Sequence, residues 1–345
     1  MSVLLFTHER CLDHEAGRHH PERPDRLRAA LAPLQEPGDL AALVELRSPR
    51  AAPRGAIERV HPKAYVAELA ALSEAGGGRI DADTSVNAAS FEAASLAAGA
   101  GLDAIEALGA GEHEAAFCAV RPPGHHATAD QAMGFCLLNS AAIAAAALAD
   151  AGERVVIFDY DAHHGNGTEA IFADDPRVLF VSCHQYPQYP GTGWLTDRGV
   201  GPGIGTTMNL PFPAGTTGDV YRQALDEVIG PAIEAFAPTW FILSAGFDAH
   251  RADPITDLGL SAGDYRDLTQ AVLSIVPAGR RLVFLEGGYD LGAIASCTRA
   301  VVATLAGAPE LFDTEGANGA AAEAPTAGGP GREVVTAARE LWAGE

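Results

Sequence analysis

Five short apolar runs recur along the chain: AAFCAV (115–120), RVVIF (154–158), RVLFVS (177–182), TWFILSA (239–245) and RLVFLE (281–286). They are rich in β-branched and aromatic residues and show no polar alternation, which is how strands covered on both faces read. SVLLF near residue 3 and TTMNLP near residue 207 read as further strands. Helical patterns fill the intervals, over about 90–109, 139–151, 218–236, 261–277 and 290–306. Pro231 lies inside the third of these, where it is tolerated if it begins a helical turn. Strands alternating with helices predict one α/β domain around a parallel sheet with helices on both faces.

The domain is expected to span residues 1–312. From about 313 the composition changes: EGANGAAAEAPTAGGPG predicts a Gly/Ala/Pro-rich linker over 313–330. REVVTAARELW then resumes a helical period. Residues 331–345 are expected to form a short helix docking through Val334, Val335, Leu341 and Trp342.

Each apolar run ends in a polar loop. RPPGHHATAD follows the first, DYDAHHGNG the second, CHQYPQYPGTG the third, GFDAHRADP the fourth and GGYDLG the fifth. In an open α/β sheet, ligands bind outside the carboxyl ends of the strands, and parallel strands put all these loops at one edge. The sequence therefore gathers histidines, aspartates and a tyrosine in one place. In FDYDAHHGNG (Phe158 to Gly167), Asp159, Asp161 and His163 alternate, so an extended backbone points them to one side. Asp161 and His163, with Asp248 from GFDAH, make a three-ligand set that leaves a metal position open for water, as catalytic sites do. The oxygen-rich set suits Zn²⁺ and also Fe²⁺, Mn²⁺ or Co²⁺. An Asp-x-His pair in a loop, taken alone, reads as a solvated turn. The convergence of several such loops is what points to metal.

Composition narrows the function classes. The net charge of -22 excludes the basic footprint of nonspecific nucleic-acid binding. It fits a cationic partner, or simple solubility. Cys11, Cys118, Cys136, Cys183 and Cys297 are odd in number, widely spaced and form no CxxC, so neither a disulfide framework nor a thiolate zinc site is expected. The apolar run VLLF near the start reads as a strand, and AAIAAAALADA is too short for the ~20 residues of a membrane span. A cytoplasmic protein that binds neither membrane nor nucleic acid is expected.

The chain carries the motifs RPPGHHA, GFCLLN, DYDAHHGNGT, YPGTG, SAGFDAHRADP and EGGY, preceded by HHPERPDRL. In this order and spacing they resemble the zinc-dependent histone deacetylase family over about residues 1–310. The nearest flavour is the bacterial, class II-like branch, with its histone deacetylase-like amidohydrolases, acetoin-utilisation deacetylases and acetylpolyamine amidohydrolases. The resemblance implies the arginase/deacetylase fold, with a central eight-stranded parallel sheet. It implies one zinc per chain on Asp161, His163 and Asp248, with Fe²⁺ or Co²⁺ as alternatives. It makes His125 and His126 the tandem acid/base histidines, His125 paired with Asp159. His126 would face Asn166, where class I relatives carry aspartate, which leaves the division of labour between the two open. Tyr289 would hydrogen-bond the substrate carbonyl. Phe135 and Tyr189 would wall an acyl-lysine channel, with Gly134, Gly287 and Ile255 beside it. A structural potassium would lie near Asp159, Asp161, His163, Ser182 and Cys183, and Asp83 would match a rim aspartate that holds the substrate backbone.

The resemblance implies a hydrolase of acyl-lysine amides in proteins or peptides. An alternative keeps the chemistry and takes acetylated polyamines or other small amides. Polyamine-selective relatives carry an acidic gate where this chain has Ile255. A two-manganese arginase-type hydrolase would need a second cluster, for which Asp248, His250 and Asp253 are the candidates. An inactive acyl-lysine reader would have lost a ligand or the tyrosine, and neither is lost. A homo-oligomer is compatible with all of these.

Overall fold

In the computed structural model, residues 2–111, 113–313 and 322–342 are described. Ten strands form: β1 (Val3–Phe6), β2 (Val44–Arg47), β3 (Gly77–Arg79), β4 (Ser85–Asn87), β5 (Ala115–Cys118), β6 (Val155–Asp159), β7 (Val178–Gln185), β8 (Thr207–Phe212), β9 (Trp240–Ala245) and β10 (Arg281–Leu285). Eight of them build one sheet in the order β2-β1-β5-β10-β9-β6-β7-β8. Every pairing in it is parallel. The chain is a single α/β domain. β3 and β4 make a separate antiparallel pair.

Burial explains the unbroken apolar runs. Every residue of β1, β5, β6, β7 and β9 is buried, so neither face of these strands meets water. Helices supply the cover. Ser90–Gly109 packs on Ser140–Asp150, and Leu291–Leu305 packs between Pro24–Gln35 and Ala262–Leu273. The five cysteines are free and buried within this core. The longest helix, Ser90–Gly109, is among those searched, and no described helix is long and apolar enough to cross a membrane.

The predicted helix over 218–236 is present but broken in character. Gly218–Ala224 is α-helical, Leu225–Ile229 forms a π turn, and Gly230–Phe236 resumes the α form. Pro231 sits in the first turn of that last segment, where its missing N–H costs nothing; the π turn absorbs the change of register. β2, the β3–β4 pair and the helices Pro24–Gln35 and Lys63–Glu74 were not among the expected elements. Pro24–Gln35 carries its apolar positions at Leu27, Ala30 and Leu34, and these spacings were the available signal.

The tail differs from its expectation. Residues 314–321 of the predicted linker lie outside the described residues, but 322–331 form a hydrogen-bonded strap. The Thr326 N–H and hydroxyl donate to Asp264, and the Gly329 N–H donates to Thr217 Oγ1. A Gly/Ala/Pro composition permits flexibility without requiring it, and here buried acceptors on the domain hold the backbone. The helix Arg332–Trp342 follows, with Val335 buried and Val334 and Trp342 packed at the edge of the core.

The N-terminal segment carries a buried ion cluster. Glu22 Oε1 accepts from Arg121 Nε at 2.6 Å and from Arg26 Nη1 at 3.1 Å, and Glu22 Oε2 accepts from Arg121 Nη2 at 2.7 Å. All three side chains are fully buried. Burial alone would raise the Glu22 pKa, but Arg121, His14 and Arg26 together hold it well below the ordinary value. Glu22→Gln strips charge from a buried cluster, a change that costs about 3–5 kcal/mol when it leaves a partner uncompensated. The expected outcome is a large drop in the denaturant midpoint at pH 7. Because the folded-state pKa is depressed, the wild-type contribution is present above the ordinary glutamate pKa and disappears as the pH falls below it. The gap between the two proteins should close in acid.

Candidate functional site

The carboxyl ends of β5, β10, β9 and β6 meet at one edge, and each hands its loop to the same place. β6 ends in Asp159, and the turn after it carries Asp161 and His163. Asp248 follows β9, Glu286 to Tyr289 follow β10, and His125 and His126 follow β5.

Asp161, His163 and Asp248 converge, with one ligand atom from each lying within 4.8 Å of the others. His163 Nδ1 stands 3.1 Å from Asp161 Oδ1 and 3.0 Å from Asp248 Oδ2. The backbone fixes the remaining carboxylate oxygens. Gly287 N–H donates to Asp161 Oδ2 at 2.8 Å, and Ala162 N–H donates to Asp248 Oδ1 at 2.7 Å. Both aspartates are fully buried, and their ion-pair partners are histidines. Two carboxylates this deep need a cation, and a divalent metal on two oxygens and one imidazole nitrogen fits the donor set. Burial opposes charge on His163, but Asp161 and Asp248 outweigh it and push its pKa up to about 10. A metal at Nδ1 must displace that proton, so metal and proton compete for this nitrogen.

The two tandem histidines lie beside this centre, their ring centroids 4.0 Å apart. His125 Nδ1 lies 2.9 Å from Asp159 Oδ2, and His126 Nδ1 lies 2.8 Å from Asn166 Oδ1. Their electrostatics diverge. For His125, burial is overcome by Asp161 and Asp159, and its pKa rises to about 10. For His126, burial and the neighbouring His125 and His163 push its pKa well below 6.5.

Aromatic rings pack around the pair. Tyr189 packs edge-on to His126 at 5.1 Å, and Phe135 packs edge-on to Tyr289 at 5.8 Å and to His20 at 4.6 Å. Gly134 has φ +54 and its Cα lies against His126, so a Cβ there would overlap the imidazole. Phe135 itself has φ +69, rare for an aromatic residue, and its N–H is held by Thr84 Oγ1. Arg26 lies 4.9 Å over the Tyr289 ring. Its guanidinium also donates to the carbonyls of Glu286 and Gly288, tying the Glu22 cluster to the tyrosine loop.

The other expected positions fall as follows. Asp83 accepts from the Thr84 hydroxyl, and its carbonyl meets His20 Nε2 at 2.9 Å, while His19 is exposed. Ser182 and Asp159 are register partners on adjacent strands, with Cys183 next along. His164 meets Thr192 and Glu169, and His184 meets Gly193, so both brace the YPGTG loop behind Tyr189. The arginase-type second cluster does not assemble among the described residues: His250 Nε2 faces Glu323, and the Asp253 carboxylate accepts backbone N–H groups. Glu286 was missed. Buried among the loops, it accepts from the N–H groups of Gly124 and His125, and burial raises its pKa to about 7. A carboxylate closing the otherwise apolar run RLVFLE was the signal.

A family model for the histone deacetylase domain matches residues 20–305. The chain belongs to the histone deacetylase family. It is 41% identical over 313 residues to a probable deacetylase of Archaeoglobus fulgidus, covering 89% of this chain and 87% of that protein. It is 38% identical over 328 residues to the histone deacetylase-like amidohydrolase of Pseudomonas aeruginosa, with 88% and 86% covered. The crystal structure of the HDA15 HD domain superposes with a TM-score of 0.89 at 35% identity, covering 99% of this chain and 94% of that one. The histone deacetylase fold and a hydrolase activity on amide bonds follow from this membership.

Within this deacetylase fold, Gly287 lies tightly against both buried carboxylates. A Cβ there would overlap both Asp248 Oδ2 and Asp161 Oδ2. Gly287→Ala should therefore lower metal affinity while the fold survives. Metal content after dialysis against a weak chelator, together with an unchanged circular dichroism spectrum, checks it.

Proposed function

We propose that this protein hydrolyses acyl-lysine amides, acetyl-lysine first among them, in proteins or peptides. The observation that carries the reading is a buried Asp161–His163–Asp248 cluster beside the Tyr189 ring, with two histidines of opposite electrostatic bias next to it. Zinc is the ion proposed for these three residues; when bound it supplies a Lewis acid and brings the pKa of its water toward ~7. The potassium implied by the family is proposed for the backbone around Asp159, Asp161, His163, Ser182 and Cys183.

Hydrolysis then asks three things of the chain. A base must take a proton from water, and His126 is suited to it because it is neutral at pH 7. An acid must deliver a proton to the departing amine, and His126, protonated by the water it has activated, is assigned to return that proton to the nitrogen. A donor must meet the oxyanion, and the hydroxyl of Tyr289 is assigned that role. Asp159 holds His125 in its tautomer and favours its charged form, so His125 presents positive charge to the developing anion. Asn166 offers His126 an acceptor without a full charge, and this keeps its basicity from being tied up in an ion pair. Phe135 and Tyr189 would enclose an acyl-lysine stem and exclude water from the reacting carbonyl.

One observation favours a second substrate. Asp81 and Asp83 lie close enough to Tyr189 to raise its pKa, after burial itself, so the mouth is acidic. A cationic acetylpolyamine suits that charge, as does a lysine flanked by basic residues. Turnover on a matched panel of acetyl-lysine peptides, longer acyl-lysines and acetylpolyamines decides between them; no turnover on any member by the zinc-loaded protein would sink both.

Asp161→Ala or Asp248→Ala should abolish metal binding and activity together, as read by metal analysis and peptide turnover. Tyr289→Phe should keep the metal and cut kcat by ~10²–10³, the usual loss for one oxyanion donor.

The acid limb of the kcat/KM profile should lie below pH 6.5, because His126 must be neutral and its pKa is depressed. Asn166→Asp adds a carboxylate that favours the imidazolium, so the limb should move to higher pH. A profile that does not move would remove His126 as the base.

A further inference from the structure

The loop after β9 carries Asp248, and five residues on it carries a second carboxylate that the chemistry above does not use. Asp253 is 8% exposed. Its Oδ2 accepts the Tyr289 N–H at 2.7 Å and its Oδ1 accepts the Ile255 N–H at 3.0 Å. A carboxylate in this setting persists only if N–H donors replace its hydration. The contacts continue on the far side of Ile255. Its carbonyl accepts from Gln188 Nε2 at 3.2 Å, and Gln188 Oε1 accepts the Tyr189 N–H at 3.0 Å. A continuous path therefore runs from Tyr289 through Asp253, Ile255 and Gln188 to Tyr189.

Tyr289 needs an outside anchor. It follows Gly287 and Gly288, and Gly288 has φ +110, so neither preceding residue offers a side chain of its own to hold the turn. Its ring touches Phe135 and Arg26, and Arg26 Nε also holds the Gly288 carbonyl, but the N–H on the other side of that same peptide is left to Asp253.

We propose that Asp253 is the positioning residue for Tyr289, and that with Gln188 it clamps Ile255 to set the spacing between Tyr289 and Tyr189. The inference rests on the reading of Tyr289 as the oxyanion donor. The carboxylate is needed for its two acceptor oxygens. An asparagine keeps the shape, but it accepts one N–H and turns its own donor toward the other.

The test is a double-mutant cycle on the zinc-loaded protein. Asp253→Asn is made in the wild type and in Tyr289→Phe, with kcat, KM, metal content and melting temperature measured for all four. Asp253→Asn should retain the metal and lower kcat about 10–100-fold, the scale of an ångström of misplacement. In the Tyr289→Phe background the same change should cost less than about threefold, because the hydroxyl it positions is already gone. An unchanged kcat, or an equal loss in both backgrounds, overturns the proposal while leaving the deacylase reading intact. A wild type that holds zinc yet turns over no acyl amide defeats the deacylase reading instead. Should Asp253→Asn fail to fold, Gln188→Ala opens the clamp from its half-exposed end. Its kcat loss should likewise shrink in Tyr289→Phe, and equal losses would again overturn the proposal.

Discussion

Two carboxylates, Asp161 and Asp248, are buried side by side with one imidazole between them. Like charges at that depth repel, and neither can be hydrated. Much of the architecture answers this constraint. Backbone N–H groups of Ala162, His163 and Gly287 are aimed at the carboxylate oxygens, and Gly287 is glycine because a side chain would occupy their space. The same charge lifts His125 and His163, and the charge those two carry in turn depresses His126. The divergence between the tandem histidines is thus a consequence of the Asp161–His163–Asp248 cluster, beside burial, as well as of their own partners, Asp159 and Asn166.

A layer of support lies outside the reacting groups. His164 and His184 brace the loop that carries Tyr189, Glu286 gathers the N–H groups of Gly124 and His125, and Arg26 holds the carbonyls on either side of Gly287. These residues are buried and polar, and their hydrogen bonds are made to backbone as often as to side chains. Positioning of this kind is what keeps a site within the narrow geometry that catalysis requires.

The sheet and the convergence of Asp161, His163 and Asp248 were legible because their signals are local. An unalternating apolar run reports burial on both faces, and Asp-x-Asp-x-His reports a shared side within a few residues. β2, with Val44 and Arg47 half-buried and Glu45 and Leu46 exposed, carries no such pattern and gains its place only by pairing with β1. The same holds for the strap at 322–331, whose Gly/Ala/Pro composition reports only what its backbone is allowed to do. Asp253 and Gln188 were illegible for a related reason. Their partners are main-chain N–H and carbonyl groups that every sequence contains, so nothing in the residue types marks the contact. Glu286 stood between these cases: its position at a strand end was visible, but its partners were 161 and 162 residues away.

The strand order has a consequence for how the molecule comes into being. β10, last of the sheet strands in the chain, lies between β5 and β9. Before it is inserted, the sheet exists only as two separate halves. One half, β2-β1-β5, leads to His125 and His126; the other, β9-β6-β7-β8, leads to Asp161, His163 and Asp248. The strand that joins them also brings Glu286, Gly287 and Tyr289. His125, His126, Asp161, His163, Asp248 and Tyr289 come together only after the chain has been made through residue 289 and β10 has entered the sheet. The strand that closes the sheet and the loop that completes the candidate site are therefore one continuous segment of the chain.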